Sequence, residues 1–415
     1  MAGAAAARLY ANVEAIEHYS RALEIARANP SAVDDAGLTD IFHRLGRVYE
    51  VAGQPDNALR AYQTLEQLGA ERDNPTLQLE GLMPQVVLFV TPTPFMDAAR
   101  GREHAERLMT LCEQLGRVDA QARAQWCLML LYMNAAPDAA RAVDHGERAL
   151  ALARDGGYTE IEGYVLNDIG RAYDSVGRTA DGTRAFADAR ALWQATGNEP
   201  MLADVLGMEA TQQILYGDLP HAVELARQGM DVSRRIGNLW GMALNGYALG
   251  SALVETGEIG EGARTLASSM EWAEQANFVG LEASVPVVLS WLYGTLGRYD
   301  YQHESLERAL AEVTAEGSMA GSRTAWELIR RHFTGDAAGA YEMVCAVEPP
   351  PIVSAGQEAI FIGMIIPEIL VSQARFDEAL AATDAMLRRM ASLGVRAMRA
   401  DLLTIRGRAL AGLGR

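Results

Sequence analysis

Four polar side chains of different chemistry lie close together between residues 164 and 171. They are Tyr164, Asn167, Asp168 and Arg171, and intervals of three and four residues place side chains on one face of a helix. A guanidinium and an amide can hold the polar groups of a bound molecule, and a carboxylate can accept hydrogen bonds from it. Arg47 occupies the position equivalent to Arg171 in an earlier, similar stretch. We expect these residues to contact a ligand.

No pattern of an enzyme active site accompanies them. A P-loop needs a lysine, and all 36 basic residues of this chain are arginine. The glycines of stretch 257–262 follow no strand pattern, so they fit a turn between helices better than a nucleotide-binding loop. The seven histidines lack the spacing of metal ligands. We therefore predict no catalytic residue, no metal and no cofactor, so this chain is not expected to be an enzyme.

The composition limits the classes of partner. Among 415 residues, 54 are acidic and 36 basic, which gives a formal charge of −18 at pH 7. A chain of this charge without a basic cluster lacks the positive surface that nucleic acids and anionic lipids require. No apolar stretch reaches the roughly 20 residues of a membrane-spanning helix. Three cysteines without CxxC spacing favour reduced thiols. We predict a cytoplasmic protein with no nucleic acid or membrane partner.

The elements that position the polar residues follow from an internal repeat. Residues that end helices recur every 40 residues in two series, with helical apolar spacing between them. The two series are Gly177, Gly217, Gly257 and Gly297, and Gly197, Gly237, Asn277 and Gly317. Each period therefore predicts two helices joined by short turns, and the chain length allows about ten such hairpins.

Small residues recur where the two helices of a hairpin would cross. Gly46 lies in the middle of one first helix and Gly170 in another, and each precedes a large aromatic residue in the second helix, Tyr62 or Phe186. Small side chains at a crossing let helices approach closely, and the large ones fill the space beside it. Three prolines, Pro84, Pro286 and Pro367, fall inside predicted first helices and are expected to bend them.

These features resemble the tetratricopeptide repeat family in a long form of about 40 residues. The resemblance covers the whole chain and is strongest at 39–65, 163–189, 243–269 and 283–309. It implies an all-α, right-handed superhelical solenoid of about ten hairpins, with the first helix of each hairpin on the concave side. We predict one continuous domain over residues 1–415.

The opening stretch 9–23 is similar to the start of the repeat region in large bacterial signal-transduction ATPases. Those proteins often carry a helix-turn-helix or nucleotide-cyclase domain. A half-hairpin is predicted at each end, which favours a segment of a longer protein over a plain terminal helix. An uncapped solenoid exposes apolar faces, and we expect self-association through Leu9, Val13 and Ile16 at one end and Leu402, Ile405 and Leu410 at the other.

The concave groove is predicted to be polar in its first half and apolar in its second. Besides the five polar residues above, the repeat phase places Trp291, Trp326 and Ile329 in the groove. The alternative is that Trp291, Trp326 and Met364 pack between neighbouring hairpins. Two functions remain open: a non-catalytic sensor module of a signalling ATPase that binds a peptide, partner protein or small effector, and a free-standing receptor or adaptor for a peptide or regulator protein.

Overall fold

The computed structural model describes residues 12–29, 33–92, 94–298, 300–301, 304–305, 307–308, 320–346 and 357–415. The described residues form 19 α-helices and no strand, which confirms the predicted all-α solenoid. The helices, numbered along the chain, are α1 (Asn12–Ala28), α2 (Asp35–Val51), α3 (Pro55–Glu71), α4 (Pro75–Val90), α5 (Ala98–Leu115), α6 (Val118–Leu130), α7 (Ala139–Gly156), α8 (Thr159–Ser175), α9 (Thr179–Thr196), α10 (Glu199–Tyr216), α11 (Leu219–Ile236), α12 (Leu239–Glu255), α13 (Ile259–Ala276), α14 (Val279–Thr295), α15 (Ala320–Phe333), α16 (Ala337–Ala346), α17 (Gln357–Ser372), α18 (Phe376–Ser392) and α19 (Arg399–Gly412).

The predicted turns between helices are present. Gly217 ends α10 with φ = 80°, and Asn277 ends α13 with φ = 52°. This left-handed conformation closes the last helical turn, and glycine and asparagine adopt it more readily than other residues. At the next helix start the Asn238 side chain accepts a hydrogen bond from the Gly241 backbone NH, which caps α12. The 40-residue period therefore arises from local capping chemistry.

The close helix crossings are also as predicted. A Cβ atom on Gly170 would lie 2.7 Å from Cζ of Phe186, and one on Gly46 would overlap the Tyr62 ring. Helices α4, α14 and α17 continue through Pro84, Pro286 and Pro367, so these prolines do not break them, and the predicted bends stay a prediction. Small residues thus set the helix spacing within each hairpin.

One feature of the fold departs from the repeat pattern. After α6, residues Leu131–Ala135 form a π-helical turn, in which the Ala136 backbone NH donates to the Leu131 carbonyl at 2.8 Å. An extra residue within a helix rotates the side chains that follow it. The turn therefore sets the direction in which Tyr132, Met133 and Asn134 project, and all three face the concave side.

The stacked hairpins curve until distant parts of the chain meet. The Asn277 side chain donates to the Gly53 carbonyl at 2.8 Å, although 224 residues separate them. Near the other end, the backbone NH groups of Arg396 and Ala397 donate to the Leu215 carbonyl at 2.7 and 3.1 Å. These contacts close the inner side of the superhelix around a central space.

The predicted terminal faces are only partly exposed. Leu402 and Ile405 are buried against α17 and α18, so the prediction that they form an open apolar face is wrong. They are covered because α19 packs against α17 and α18, as the first helix of a hairpin packs against the hairpin before it. At the other end Val13 is 69% exposed, and Leu9 lies outside the described residues. Within the described ranges, no helix combines the length and apolarity needed to cross a bilayer.

Candidate ligand-binding cavity

The first helices of seven successive hairpins surround a cavity of about 760 Å³. Its wall is built mainly from residues on α2, α4, α6, α8, α10, α12 and α14 and from their adjoining turns, with single second-helix residues such as Phe186 of α9. The volume lies within the range of small-ligand sites, and most of the lining is apolar with a few polar groups, as such sites usually are. The concave side of the solenoid therefore contains a partly open cavity suited to a bound molecule.

Five of the eight candidate residues from the sequence line this cavity. They are Arg47, Tyr164, Asn167, Asp168 and Arg171. The first of them comes from α2 and the others from α8, so the curvature of the solenoid brings two distant hairpins to one space. The Arg47 side chain lines the cavity, and 57% of its surface is exposed. Whether these residues bind a ligand stays a prediction.

The other three candidates lie outside the cavity. Trp326 is 1% exposed and Ile329 is also buried, in an apolar core that α15 shares with α17, α18 and the end of α10. Trp291 packs against that core, with its ring edge-to-face on Phe333 at a centroid distance of 5.7 Å. The positions of Trp291 and Trp326 agree with the alternative that they pack between hairpins, because the core fills the inner side of these helices.

The cavity also contains residues that the sequence argument did not select. Among them are Trp126, Asn134, Asp204, Gln212 and Trp240. Asp204 stands one repeat after Tyr164, so the repeat phase alone could have identified it. Trp126 precedes the π-helical turn, and its hydrogen-bond partner lies 42 residues away. No local pattern reveals that pairing.

Two carboxylates face each other on α8 and α10. Asp168 accepts a hydrogen bond from the Trp126 indole NH at 2.8 Å, and Asp204 accepts one from the Asn167 amide at 2.8 Å. The pKa of Asp168 is raised to about 6, mainly by burial and also by the nearby Asp204 charge, against the lowering effect of the Trp126 hydrogen bond. Burial likewise raises the pKa of Asp204. Both groups are thus held in a setting that disfavours their own negative charge.

A third carboxylate joins α8 to α10 at one side of the cavity. Asp174 accepts hydrogen bonds from the Gln212 amide at 2.8 Å and from the Tyr216 hydroxyl. Burial raises its pKa to about 6, although both hydrogen bonds favour the ionised form. Because the donors are neutral, Asp174 keeps an uncompensated charge near neutral pH.

Two arginines supply positive charge to the same space. Arg47 pairs with Glu50 at 2.7 Å, and Glu50 also accepts from the Tyr62 hydroxyl at 2.7 Å. Burial by itself lowers the pKa of Arg47, but the Glu50 carboxylate outweighs it, so the pKa is raised and the guanidinium stays charged. Arg171 donates to the Asn134 side chain at 3.3 Å. No carboxylate of the described residues forms an ion pair with it.

Aromatic rings complete the wall around these polar groups. The Tyr164 ring stacks on Trp126 at a centroid distance of 5.4 Å, and Trp240 stacks on Phe278 at 3.5 Å. Flat rings beside hydrogen-bond acceptors are suited to binding and orienting a ligand. Elsewhere in the part of the chain that the structure describes, no group of three His, Cys, Asp or Glu residues is placed to hold a metal ion.

Comparison with known proteins bears on the fold. No protein-family model and no curated protein matches the sequence. Among solved structures, a Rap protein complexed with competence and sporulation factor has a TM-score of 0.58 at 14% identity, over 92% of this chain and 98% of that one. NprR in complex with its cognate peptide NprX has a TM-score of 0.59 at 11% identity, and the match covers 86% of this chain and 98% of that one. Human IFIT1 with m7Gppp-AAAA has a TM-score of 0.50 at 13% identity, and the match covers 97% of this chain and 87% of that one. This chain shares the tetratricopeptide-like solenoid fold of these proteins.

Proposed function

We propose that this chain is a non-catalytic regulatory module that binds a peptide in its central cavity. The observation that carries the proposal is the cavity itself, in which polar groups and aromatic rings from seven hairpins surround one space of about 760 Å³. Two proteins of the same fold were solved in complex with a partner, the competence and sporulation factor in one and the peptide NprX in the other. A partner protein that inserts a short segment fits the same geometry.

The bound peptide would report to a larger assembly. The similarity of stretch 9–23 to signalling ATPases supports a sensor module within such a protein, and a free-standing receptor or adaptor is the alternative. The two differ in the length of the native reading frame. A frame that encodes additional domains supports the sensor module, whereas a frame that encodes these residues alone supports the receptor. A cytoplasmic location fits both.

A matched pair of substitutions tests peptide binding. Thr211 lines the cavity and Thr196 is exposed outside it, yet each hydroxyl donates to the carbonyl four residues earlier at 2.9 Å. Thr211→Trp would fill part of the cavity, and Thr196→Trp would add the same ring to the outer surface. The purified variants are incubated with a pool of random hexapeptides, and the retained peptides are identified by mass spectrometry.

The expected result is that the wild type and Thr196→Trp retain the same peptides and that Thr211→Trp loses them. Circular dichroism confirms that all three proteins are folded. Retention of no peptide by the wild type, or unchanged retention by Thr211→Trp, would contradict peptide binding in the cavity.

A further inference from the structure

Asn167 lines the cavity wall and carries a hydrogen-bond acceptor that has no donor among the described residues. Its side chain is 1% exposed and lies between Asp168 and Asp204 on the cavity wall. The amide nitrogen donates to Asp204 at 2.8 Å, which fixes the orientation of the amide group. Its Oδ1 atom has no hydrogen-bond partner among the described residues. A buried acceptor without a donor destabilises the free protein, so a ligand donor at this point would relieve that cost.

The two neighbouring carboxylates accept hydrogen bonds but form no ion pair with a described residue. The side chains that donate to them, the Trp126 indole from α6, the Asn167 amide from α8 and the Trp240 indole from α12, are all neutral. The positive groups that face them are Arg171 on α8 and Arg47 on α2, and these act only through longer-range attraction. We name Asn167 Oδ1 and the carboxylates of Asp168 and Asp204 the acceptor cluster.

An aromatic face lies beside the acceptor cluster. Trp126 reaches Asp168 through its indole NH, and its ring stacks on Tyr164. Indole and phenol faces attract cations through the negative charge of their π-systems. Carboxylates, a carbonyl-type oxygen and aromatic faces together match a group that is positively charged and rich in N–H donors.

We propose that the acceptor cluster binds an organic cation of the ligand, an ammonium or guanidinium group. The inference rests on the proposed function, since the cation is part of the peptide or partner segment that enters the cavity. It extends that function by assigning a charge and a position to one group of the ligand. The negative charge of the cluster then serves binding, although it disfavours the ligand-free fold.

Four pools of hexapeptides test the inference. All have acetylated and amidated termini and otherwise random neutral residues, and each carries one arginine, citrulline, lysine or norleucine at a fixed position. Citrulline is the neutral counterpart of arginine, and norleucine that of lysine. Because a charge-assisted hydrogen bond is stronger than a neutral one, the wild type is expected to retain at least one cationic pool about tenfold better than its counterpart. A fifth pool with free N-termini tests the α-ammonium group as the source.

Three substitutions locate the effect. Asp168→Asn and Asp204→Asn remove charge and keep the side-chain shape. Each is therefore expected to bring the ratio of cationic-pool to neutral-pool retention close to one. Asp188→Asn serves as the matched control, since Asp188 is exposed on α9 outside the cavity. Because burial disfavours the charged form of both carboxylates, the two cavity variants are expected to melt at or above the wild-type temperature.

The outcomes separate the inference from the function on which it rests. Equal retention of cationic and neutral pools by the wild type overturns the inference and leaves peptide binding intact. A preference that survives in both Asp168→Asn and Asp204→Asn also overturns it, because the cation then binds elsewhere. Retention of none of the five pools overturns the proposed function together with the inference.

Discussion

Gly81 offers a direct test of the close helix packing in this solenoid. A Cβ atom at this position on α4 would lie 2.3 Å from the backbone nitrogen of Glu66 on α3 and 2.6 Å from its Cα. Carbon atoms in proteins pack at about 3.5–4.0 Å. Because backbone atoms cannot rotate away, Gly81→Ala requires the two helices to separate by about 1 Å.

The expected loss of folding stability in Gly81→Ala is the balance of two destabilising effects and one stabilising effect. Overpacking destabilises by about 1–3 kcal/mol. The separation also strains buried Gln85, whose amide donates to the Gly81 carbonyl at 3.0 Å and to Glu66 at 2.7 Å, a further loss of about 1 kcal/mol. Replacing glycine by alanine within a helix returns about 1 kcal/mol. We expect Gly81→Ala to lower stability by about 1–3 kcal/mol.

Gly407 provides the matched control. It lies within α19, is exposed, and has no atom within 4 Å of the position that a Cβ would occupy. Gly407→Ala is therefore expected to raise stability by about 0.5–1 kcal/mol through helix propensity alone. Urea unfolding followed by circular dichroism measures both variants, and hydrogen exchange of α3 and α4 shows where Gly81→Ala acts. Equal changes in the free energy of unfolding, in the same direction for Gly81→Ala and Gly407→Ala, would refute the packing argument.

Four other outcomes are expected. Gly170→Leu and Ala189→Leu should each destabilise by about 1–3 kcal/mol in thermal melts, since both positions are small where helices cross; unchanged melting would contradict the crossing geometry. Burial raises the pKa of Asp174 from 3.8 to about 6, so the folded state holds the Asp174 proton more tightly than the unfolded state does. The stability of the wild type should therefore fall as the pH rises from about 4 to about 6. Asp174→Asn should remove this part of the pH dependence of stability. Asn277→Gly keeps the left-handed turn but removes the hydrogen bond to Gly53, so it should lower stability by about 1 kcal/mol, and Asn277→Ala should lower it more. Sedimentation should reveal association that strengthens with salt if exposed Val13 forms part of a contact between copies; a monomer at both low and high salt would argue against it.

The hairpin architecture of this protein could be predicted because its signals are local. Glycine and asparagine at helix ends, as at Gly217 and Asn277, act within one turn of backbone. Small residues at helix crossings, such as Gly170 opposite Phe186, act between neighbours joined by a short turn. Each signal recurs every 40 residues, so one correctly phased hairpin predicts the others. The same phase placed Arg47, Asn167 and Arg171 on the concave side.

The contents of the cavity depend on tertiary structure. Small rotations between hairpins accumulate until Asn277 meets Gly53, 224 residues away, and no local pattern encodes their sum. The curvature opens a cavity at the middle hairpins, whereas near the C-terminus the core closes over Trp326. Equivalent repeat positions therefore have different surroundings. The sequence by itself determined the helices and the faces they present, and the long-range packing of the superhelix decided which of those faces surround a ligand-sized space.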